Sequence, residues 1–355
     1  MKLITLEHKV CDYTCMWNGI QDIYQQKSGE DVPGYLFFCL SGIGNFVYLS
    51  FKQGGLRKMV GWGDGRPKKM YPDVCGTIGF SFKCIEGTSF AYCLKTAKAQ
   101  IDEGKPVVLG CLDMYYLDYY PKMYQKIHVP IHYVLMVGYD DDKQCVYVLD
   151  CGKPDMQTLS YACLEQALNV KKSPVGDKNG LFTIDFAEPV KPLRDIAVSG
   201  FLKKAQHMLN PPVGFAGIRG MRKLAREIDG WREELTPKEY REALENFVMF
   251  TGTVPNPPAR LFGCQEDDIR HDGARAKMSE LFAALSGRLG ISEWHQTAAL
   301  FSQSGDVLVE MTDLIVDDLL GQSRDLGELS KLISRVADLE EKAYIHMLRG
   351  AEAAR

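Results

Sequence analysis

The chain has 355 residues, 46% hydrophobic and 25% charged, with a net charge of -4; that length suits two domains and the composition is ordinary for a globular protein. So small a negative charge gives no electrostatic case for nucleic acid or an anionic membrane as partner. No apolar run reaches the roughly 18 residues of a membrane span, the opening Met-Lys-Leu-Ile-Thr-Leu-Glu-His-Lys meets charge too early for a secretory core, and eleven unpatterned cysteines imply thiols in a reducing, cytoplasmic setting.

In chain order, the first predicted element is a helix opening near Cys15, with Met16, Ile20, Ile23 and Tyr24 or Lys27 on one face and Gly29 at its end. Strands are expected over Tyr35–Phe51 (with a turn from Ser41 to Asn45), Val107–Cys111, Ile131–Tyr139, Cys145–Asp150 and Gly180–Phe186. Two more helices fall over Thr88–Glu103, closed by Gly104, and Ser160–Leu168. Beyond Glu188, Pro189 and Pro192 mark a junction. Helical periodicity then holds near 194–209, 215–234, 236–250, 269–289, 291–320 and 325–352, punctuated by Pro211-Pro212 and Pro255-Asn-Pro-Pro258. Thr236-Pro-Lys-Glu239 has the form of a capping box with proline at the first helical position. The expected architecture is α+β over residues 1–187 followed by an all-α domain over 188–355.

Three residues carry the chemistry. A cysteine reacts as its thiolate, which a helix start and a nearby imidazolium both favour. Cys15 falls in the first turn of the expected helix, with Asp12 or Thr14 as its cap. A single cysteine is more often a small buried hydrophobe, so the argument for Cys15 rests on its partners. Cys11 is the alternative nucleophile, but it precedes the expected helix start. The apolar run from His132 turns at Tyr139-Asp-Asp-Asp142 and returns as Val146 to Asp150. That is the pattern of an antiparallel hairpin with His132 and Asp150 at its open end, the placement a His–Asp dyad needs. Singly, each would read as a satisfied core histidine or a loop acid; together they complete a Cys–His–Asp set.

Other features point less far. Cys11-x3-Cys15 with His128-x3-His132 resembles a Cys2His2 zinc set, but Val129-Pro130-Ile131 keeps the histidines on extended chain, about 13 Å apart. No metal or cofactor is therefore expected. Asp113, Tyr115, Tyr116, Asp118, Tyr119 and Tyr120 form an aromatic-acidic loop that lines a cleft or simply packs, with Tyr116 as the substrate-lining candidate. Gly61-Trp-Gly-Asp-Gly65 with Lys68-Lys69 lacks the context of a phosphate loop and reads as a turn. His207, His271, His295 and His346 have no acid or cysteine at ligand spacing and read as surface or packing residues.

With those residues in place, the chain resembles the butirosin biosynthesis protein H family. The resemblance is carried by Cys15 ahead of its helix, Phe37-Phe-Cys-Leu-Ser-Gly-Ile-Gly-Asn-Phe-Val-Tyr48, Gly104-Lys-Pro-Val-Val108, Asp113-Met-Tyr-Tyr-Leu117, His132-Tyr-Val-Leu-Met-Val-Gly-Tyr-Asp140 and Val146-Tyr-Val-Leu-Asp150, and covers most of residues 1–187. Gly217-Ile-Arg-Gly-Met-Arg-Lys-Leu-Ala225 and Trp231 are similar to the companion helical C-terminal domain. The His132 to Asp140 segment is also similar to that of bacteriocin-processing C39 peptidases. The resemblance implies a papain-like cysteine-enzyme domain, a helix packed on an antiparallel sheet. It also implies transfer of an acyl group from a carrier-protein thioester to an amine through an acyl-cysteine.

One departure stands out. Papain-like enzymes usually have a glutamine shortly before the nucleophile to help hold the oxyanion, and none precedes Cys15. The Cys15 N–H with His8 or Asn45 are the candidate replacements. The expected activity is that of a cysteine acyltransferase in secondary-metabolite or peptide-like biosynthesis, with Cys15 as nucleophile, His132 as base and Asp150 as its orienting acid. The partners expected are an acyl donor such as an acyl carrier protein and a small amine acceptor. The helical half is expected to narrow the cleft, select the acceptor or form a homodimer interface. The alternatives are a papain-like peptidase or amide hydrolase, or a silent binding protein on the same fold.

Overall fold

The fold is known from a computed structural model, which describes all residues except 11–14, 16–18, 43–44, 62–66, 172, 252–258, 263–269 and 323–325. In chain order the elements are β1 (Lys2–Leu3), α1 (Ile20–Ser28), α2 (Leu36–Leu40), β2 (Val47–Ser50), β3 (Lys58–Gly61), α3 (Pro67–Ile78), β4 (Phe80–Ile85), α4 (Phe90–Asp102), β5 (Val107–Leu112), β6 (His132–Asp140), β7 (Cys145–Leu149), β8 (Gln157–Ser160), α5 (Tyr161–Leu168) and β9 (Leu181–Phe186). Helices α6 (Leu193–Leu209), α7 (Gly217–Glu227), α8 (Trp231–Glu234), α9 (Pro237–Thr251), α10 (Arg275–Leu289), α11 (Glu293–Leu319) and α12 (Leu329–Ala353) complete the chain. The contacts divide it into two compact units: Met1–Phe38 with Gly65–Ile196, and Cys39–Asp64 with Ala197–Arg355.

The first unit is built on an antiparallel sheet in the order β4-β9-β5-β6-β7-β8, with β1 also paired to β6. Alternation along the strands gives it two apolar faces. Leu109, Leu181, Val134, Met136, Val146 and Val148 lie on one face, in a cluster with Cys93, Ala97 and Ile101 of α4 and Leu164 and Leu168 of α5. The other face is aromatic. There Tyr71 of α3 meets Phe182 edge-on at 5.5 Å, and Tyr24 of α1 meets Phe37 and Phe186. Both faces are covered, so the central strands read as continuous apolar runs.

Helix α1 starts later than its apolar spacing suggested, at Ile20 rather than near Cys15. Gly19 sits immediately ahead of it at φ 80°, and a Cβ there would lie 2.4 Å from the Leu135 side chain. A left-handed residue does not extend a right-handed helix, so the helix begins after it. Its end is as expected: Gly29 closes the helix in the left-handed conformation, its N–H bonded to the Gln25 carbonyl.

Of the strand structure expected over Tyr35–Phe51 on either side of a Ser41–Asn45 turn, the first part is instead a short helix, α2, and the second is the strand β2. Leu36, Phe37, Phe38, Cys39 and Leu40 are all buried, and an apolar run of that length fits helix or strand equally. Helix α3 has no counterpart in the sequence reading, because Pro72 and Gly76 lie inside it.

The second unit pairs the β2–β3 hairpin with the helices that follow the sheet. The hairpin's free hydrogen-bonding groups explain the grouping. Tyr48 N–H bonds the Phe215 carbonyl, Gly217 N–H bonds the Phe46 carbonyl, and Val60 N–H bonds Asn246 Oδ1 of α9. The capping box forms as expected: Glu239 accepts from Thr236 N–H at 2.9 Å, and Thr236 Oγ1 accepts from Glu239 N–H at 3.4 Å. Among the described residues no helix is long and apolar enough to cross a membrane.

Candidate active site

Strands β6 and β7 form the hairpin read from the sequence, with Leu135 opposite Leu149 and the turn following Asp140. Residues two apart on a strand share a face, so His132 and Val134 face the same way, as does Asp150 just past the end of β7. The two side chains meet: His132 Nε2 lies 2.8 Å from Asp150 Oδ2, with the residues 5% and 0% exposed. One ring nitrogen is thereby committed to the acid, leaving Nδ1 for another partner.

Cys15 lies within electrostatic reach of that ring, and its thiol donates to the Ile131 carbonyl at 3.7 Å. Burial disfavours charge on His132, but the carboxylate of Asp150 and the sulfur of Cys15 outweigh it and raise the imidazole to about 10. Such a ring keeps its proton through neutral pH. Burial likewise opposes ionisation of Asp150, yet His132 and two hydroxyl donors hold its carboxyl below the ordinary range.

Those hydroxyls belong to Tyr119 and Tyr120. Tyr119 donates to Asp150 Oδ2 at 2.9 Å and Tyr120 to Oδ1 at 2.8 Å, so neither carboxylate oxygen is left bare. Burial, followed by the adjacent carboxylate, raises both phenols, which keeps them protonated as donors. The Tyr120 ring also meets His132 edge-on at 5.5 Å. The acid is therefore fixed by three side chains before any substrate arrives.

The remaining sequence candidates are placed differently. His8 gives both ring nitrogens to other acceptors, Asp22 Oδ2 at 2.6 Å and the Asp150 carbonyl at 3.0 Å, and so has no N–H for an oxyanion. Asn45 belongs to the second unit, where its Oδ1 is buried with no hydrogen-bond partner among the described residues. Tyr116 is half-buried, packs on Tyr115 and His128, and accepts the Cys163 thiol at its carbonyl; its neighbours Tyr119 and Tyr120 are the ones that reach the dyad. Cys11 lies outside the described residues. Cys15 itself precedes α1 by five residues, beyond the first turn over which a helix dipole acts.

Of the four residues resembling a zinc set, His128 turns to Asp113 at 2.6 Å and stacks on Tyr115 at 4.1 Å. Potential metal ligands do converge on His132, Asp150 and Cys151, whose ligand atoms lie within 4.8 Å of one another. There both Asp150 oxygens already accept from Tyr119, Tyr120 and His132, so a metal would have to displace donors already in place. Sequence reasoning did not find the roles of Tyr119, Tyr120, His8 and Asp22. The Tyr119-Tyr120 pair a dozen residues before His132 was a usable signal, whereas nothing local marks His8.

Two family models match parts of the chain. Residues 14–151 match the family model described as butirosin biosynthesis protein H, N-terminal, and that span holds Cys15, His132 and Asp150 together. Residues 162–253 match a domain of unknown function (DUF4872). A search of curated proteins finds no match to the chain. Residues 14–151 are thus similar to the butirosin biosynthesis protein H N-terminal family, and that likeness points to a biosynthetic enzyme.

Proposed function

We propose that this protein is a cysteine acyltransferase of papain-like type, which moves an acyl group from a thioester, carried on a carrier protein, to an amine. The observation that supports this best is the Cys15–His132–Asp150 set: a thiol within electrostatic reach of a buried imidazole, one of whose nitrogens is held 2.8 Å from a carboxylate. The Cys15 thiolate attacks the thioester carbonyl. The tetrahedral adduct collapses with expulsion of the carrier thiolate, which takes the proton from His132. The neutral imidazole then removes a proton from the attacking amine as the amide forms and Cys15 leaves. A thioester donor suits this nucleophile, because thiol–thioester exchange is nearly neutral in free energy and the amide product makes the second step favourable. Water in place of the amine would turn the same set into a hydrolase.

The test is to incubate the protein with an acyl-pantetheine thioester and map the adduct by mass spectrometry, then add a panel of primary amines. An acyl group on Cys15, absent in His132→Ala and discharged to an amine, supports transfer. Discharge to water at the same rate with or without amines favours the hydrolase. No adduct, together with Cys15 alkylating no faster than the other thiols, overturns both.

A further inference from the structure

We propose that His8 and Asp22 are positioning residues for the acid of this site: a buried brace tying the helix that follows Cys15 to the turn that carries Asp150. The inference rests on the acyl-cysteine reading above and adds two residues to its machinery.

Three separate segments meet at His8. The first is the N-terminal stretch itself, anchored beside β6 by the pairs Lys2–Tyr139 and Leu3–Gly138 and by the bond from Ile4 N–H to the Val137 carbonyl. The second is α1, whose first turn supplies Asp22; Oδ2 lies 2.6 Å from His8 Nδ1, and Oδ1 accepts Lys9 N–H at 3.2 Å. The third is the turn after β7, where the Asp150 carbonyl accepts both Lys153 N–H at 2.9 Å and His8 Nε2 at 3.0 Å. With a carboxylate on one side and a carbonyl on the other, both ring nitrogens must donate, so the ring is an imidazolium. The two side chains are each 4% exposed.

Position and direction of the acid are thus set separately. Tyr119, Tyr120 and His132 aim the Asp150 carboxylate, while His8 holds its main chain. Asp22 follows Cys15 by seven residues, so the same pair relates the nucleophile's segment to the acid's. The turn has little slack: a Cβ on Gly152 would lie 3.1 Å from the Tyr120 hydroxyl, and Lys153 sits over the Tyr120 ring at 4.8 Å. A plain stabilising role explains the pair less well, because a buried ion pair is often no more stable than an apolar replacement. Orientation of a reacting group by a hydrogen-bonded outer partner is what such a pair does efficiently.

Two substitutions separate the bonds. His8→Gln keeps a donor near the Nε2 position, facing Asp150, and His8→Asn keeps one near Nδ1, facing Asp22. The readout is the iodoacetamide labelling rate of Cys15 between pH 5 and 9, with melting temperature measured alongside. His8→Asn should slow labelling of Cys15 at pH 6 by about ten-fold without affecting the other thiols, and His8→Gln should restore most of it. Asp22→Asn should fall between them, and carries the test if the His8 variants do not fold. Folded His8→Asn with the wild-type pH profile, or equal losses in His8→Gln and His8→Asn, overturns the brace while leaving the triad standing. Wild-type Cys15 that labels no faster than the other thiols, with no dependence on His132, removes the reading beneath it and the brace as well.

Discussion

Each unit of this protein buries a set of charges, and the two sets are finished differently. In the second unit Arg275 and Glu340 are both 0% exposed and close on each other: Nε to Oε1 at 2.8 Å and one terminal nitrogen to Oε2 at 3.1 Å. The other terminal nitrogen takes the Gly273 carbonyl at 2.6 Å, and Ser304 donates to Glu340 at 2.8 Å. In the first unit the acid is equally well satisfied, but the histidine it orients lies within electrostatic reach of a last member that is a thiol, Cys15. Buried charge alone therefore does not mark a reactive site. A buried acid–imidazole pair set beside a thiol is the arrangement proposed here as one.

The sharpest way to break the comparison is to remove that last member. Cys15→Ala should abolish acyl transfer with little change in melting temperature, and His132→Ala, in protein that remains folded, should lower it by about 10²–10⁴-fold. Activity surviving in Cys15→Ala would make the first set as structural as the second. The converse substitution is Arg275→Met, which strands the Glu340 charge and should cost about 3–5 kcal/mol of stability. Denaturant unfolding measures that loss, and Cys15 alkylation should be unchanged. Adding Glu340→Leu should recover part of it, since an apolar pair carries no stranded charge.

A smaller effect distinguishes the two phenols. Tyr120 is the donor to Asp150 Oδ1, whereas Oδ2 accepts from both Tyr119 and His132. Tyr120→Phe should therefore slow transfer more than Tyr119→Phe, by about ten-fold against a few-fold, the scale of one hydrogen bond to a charged group. Equal effects would show that the two rings act by packing.

The most diagnostic effect is on pH. His132 is raised to about 10 from an ordinary value near 6.5. Its contribution to stability is fully present below about 6.5 and is lost as pH climbs towards 10. Lys204 moves the other way. Burial first, then the nearby Arg275, lowers it to about 7, while its ammonium donates to the Ser41 carbonyl at 2.8 Å. Between that value and about 10.5 the unfolded chain binds the extra proton, so this residue's contribution improves with rising pH. Denaturation midpoints across pH 6–10 should lose the first slope in His132→Gln and the second in Lys204→Met. A variant that leaves the pH dependence intact assigns its slope to another group.

Much of the candidate site was legible from local pattern. Alternating apolar residues, the acidic turn and the returning run identify the β6–β7 hairpin, and a hairpin brings His132 and Asp150 to one end. Gly29, the Thr236–Glu239 capping box and the helical periodicity beyond Glu188 are likewise local signals that the structure repeats. What failed did so where local information is ambiguous or misleading. Leu36–Leu40 is too short for its period to choose between helix and strand, and Pro72 concealed α3. The start of α1 was misplaced because Gly19 is left-handed and packed against Leu135, a residue more than a hundred positions away.

The sequence by itself therefore determined the chemical inventory, the hairpin that pairs a histidine with an acid, and the change from sheet to helices near Glu188. Only the tertiary structure decided which polar groups face one another: Tyr119 and Tyr120 on Asp150, His8 between Asp22 and the Asp150 main chain, and the 39–64 segment with the helical unit. The reason is physical. Periodicity records which side of an element is apolar, because burial acts on every residue of that face. A hydrogen bond is satisfied by one partner at one distance, and that partner is chosen only when remote segments close on each other.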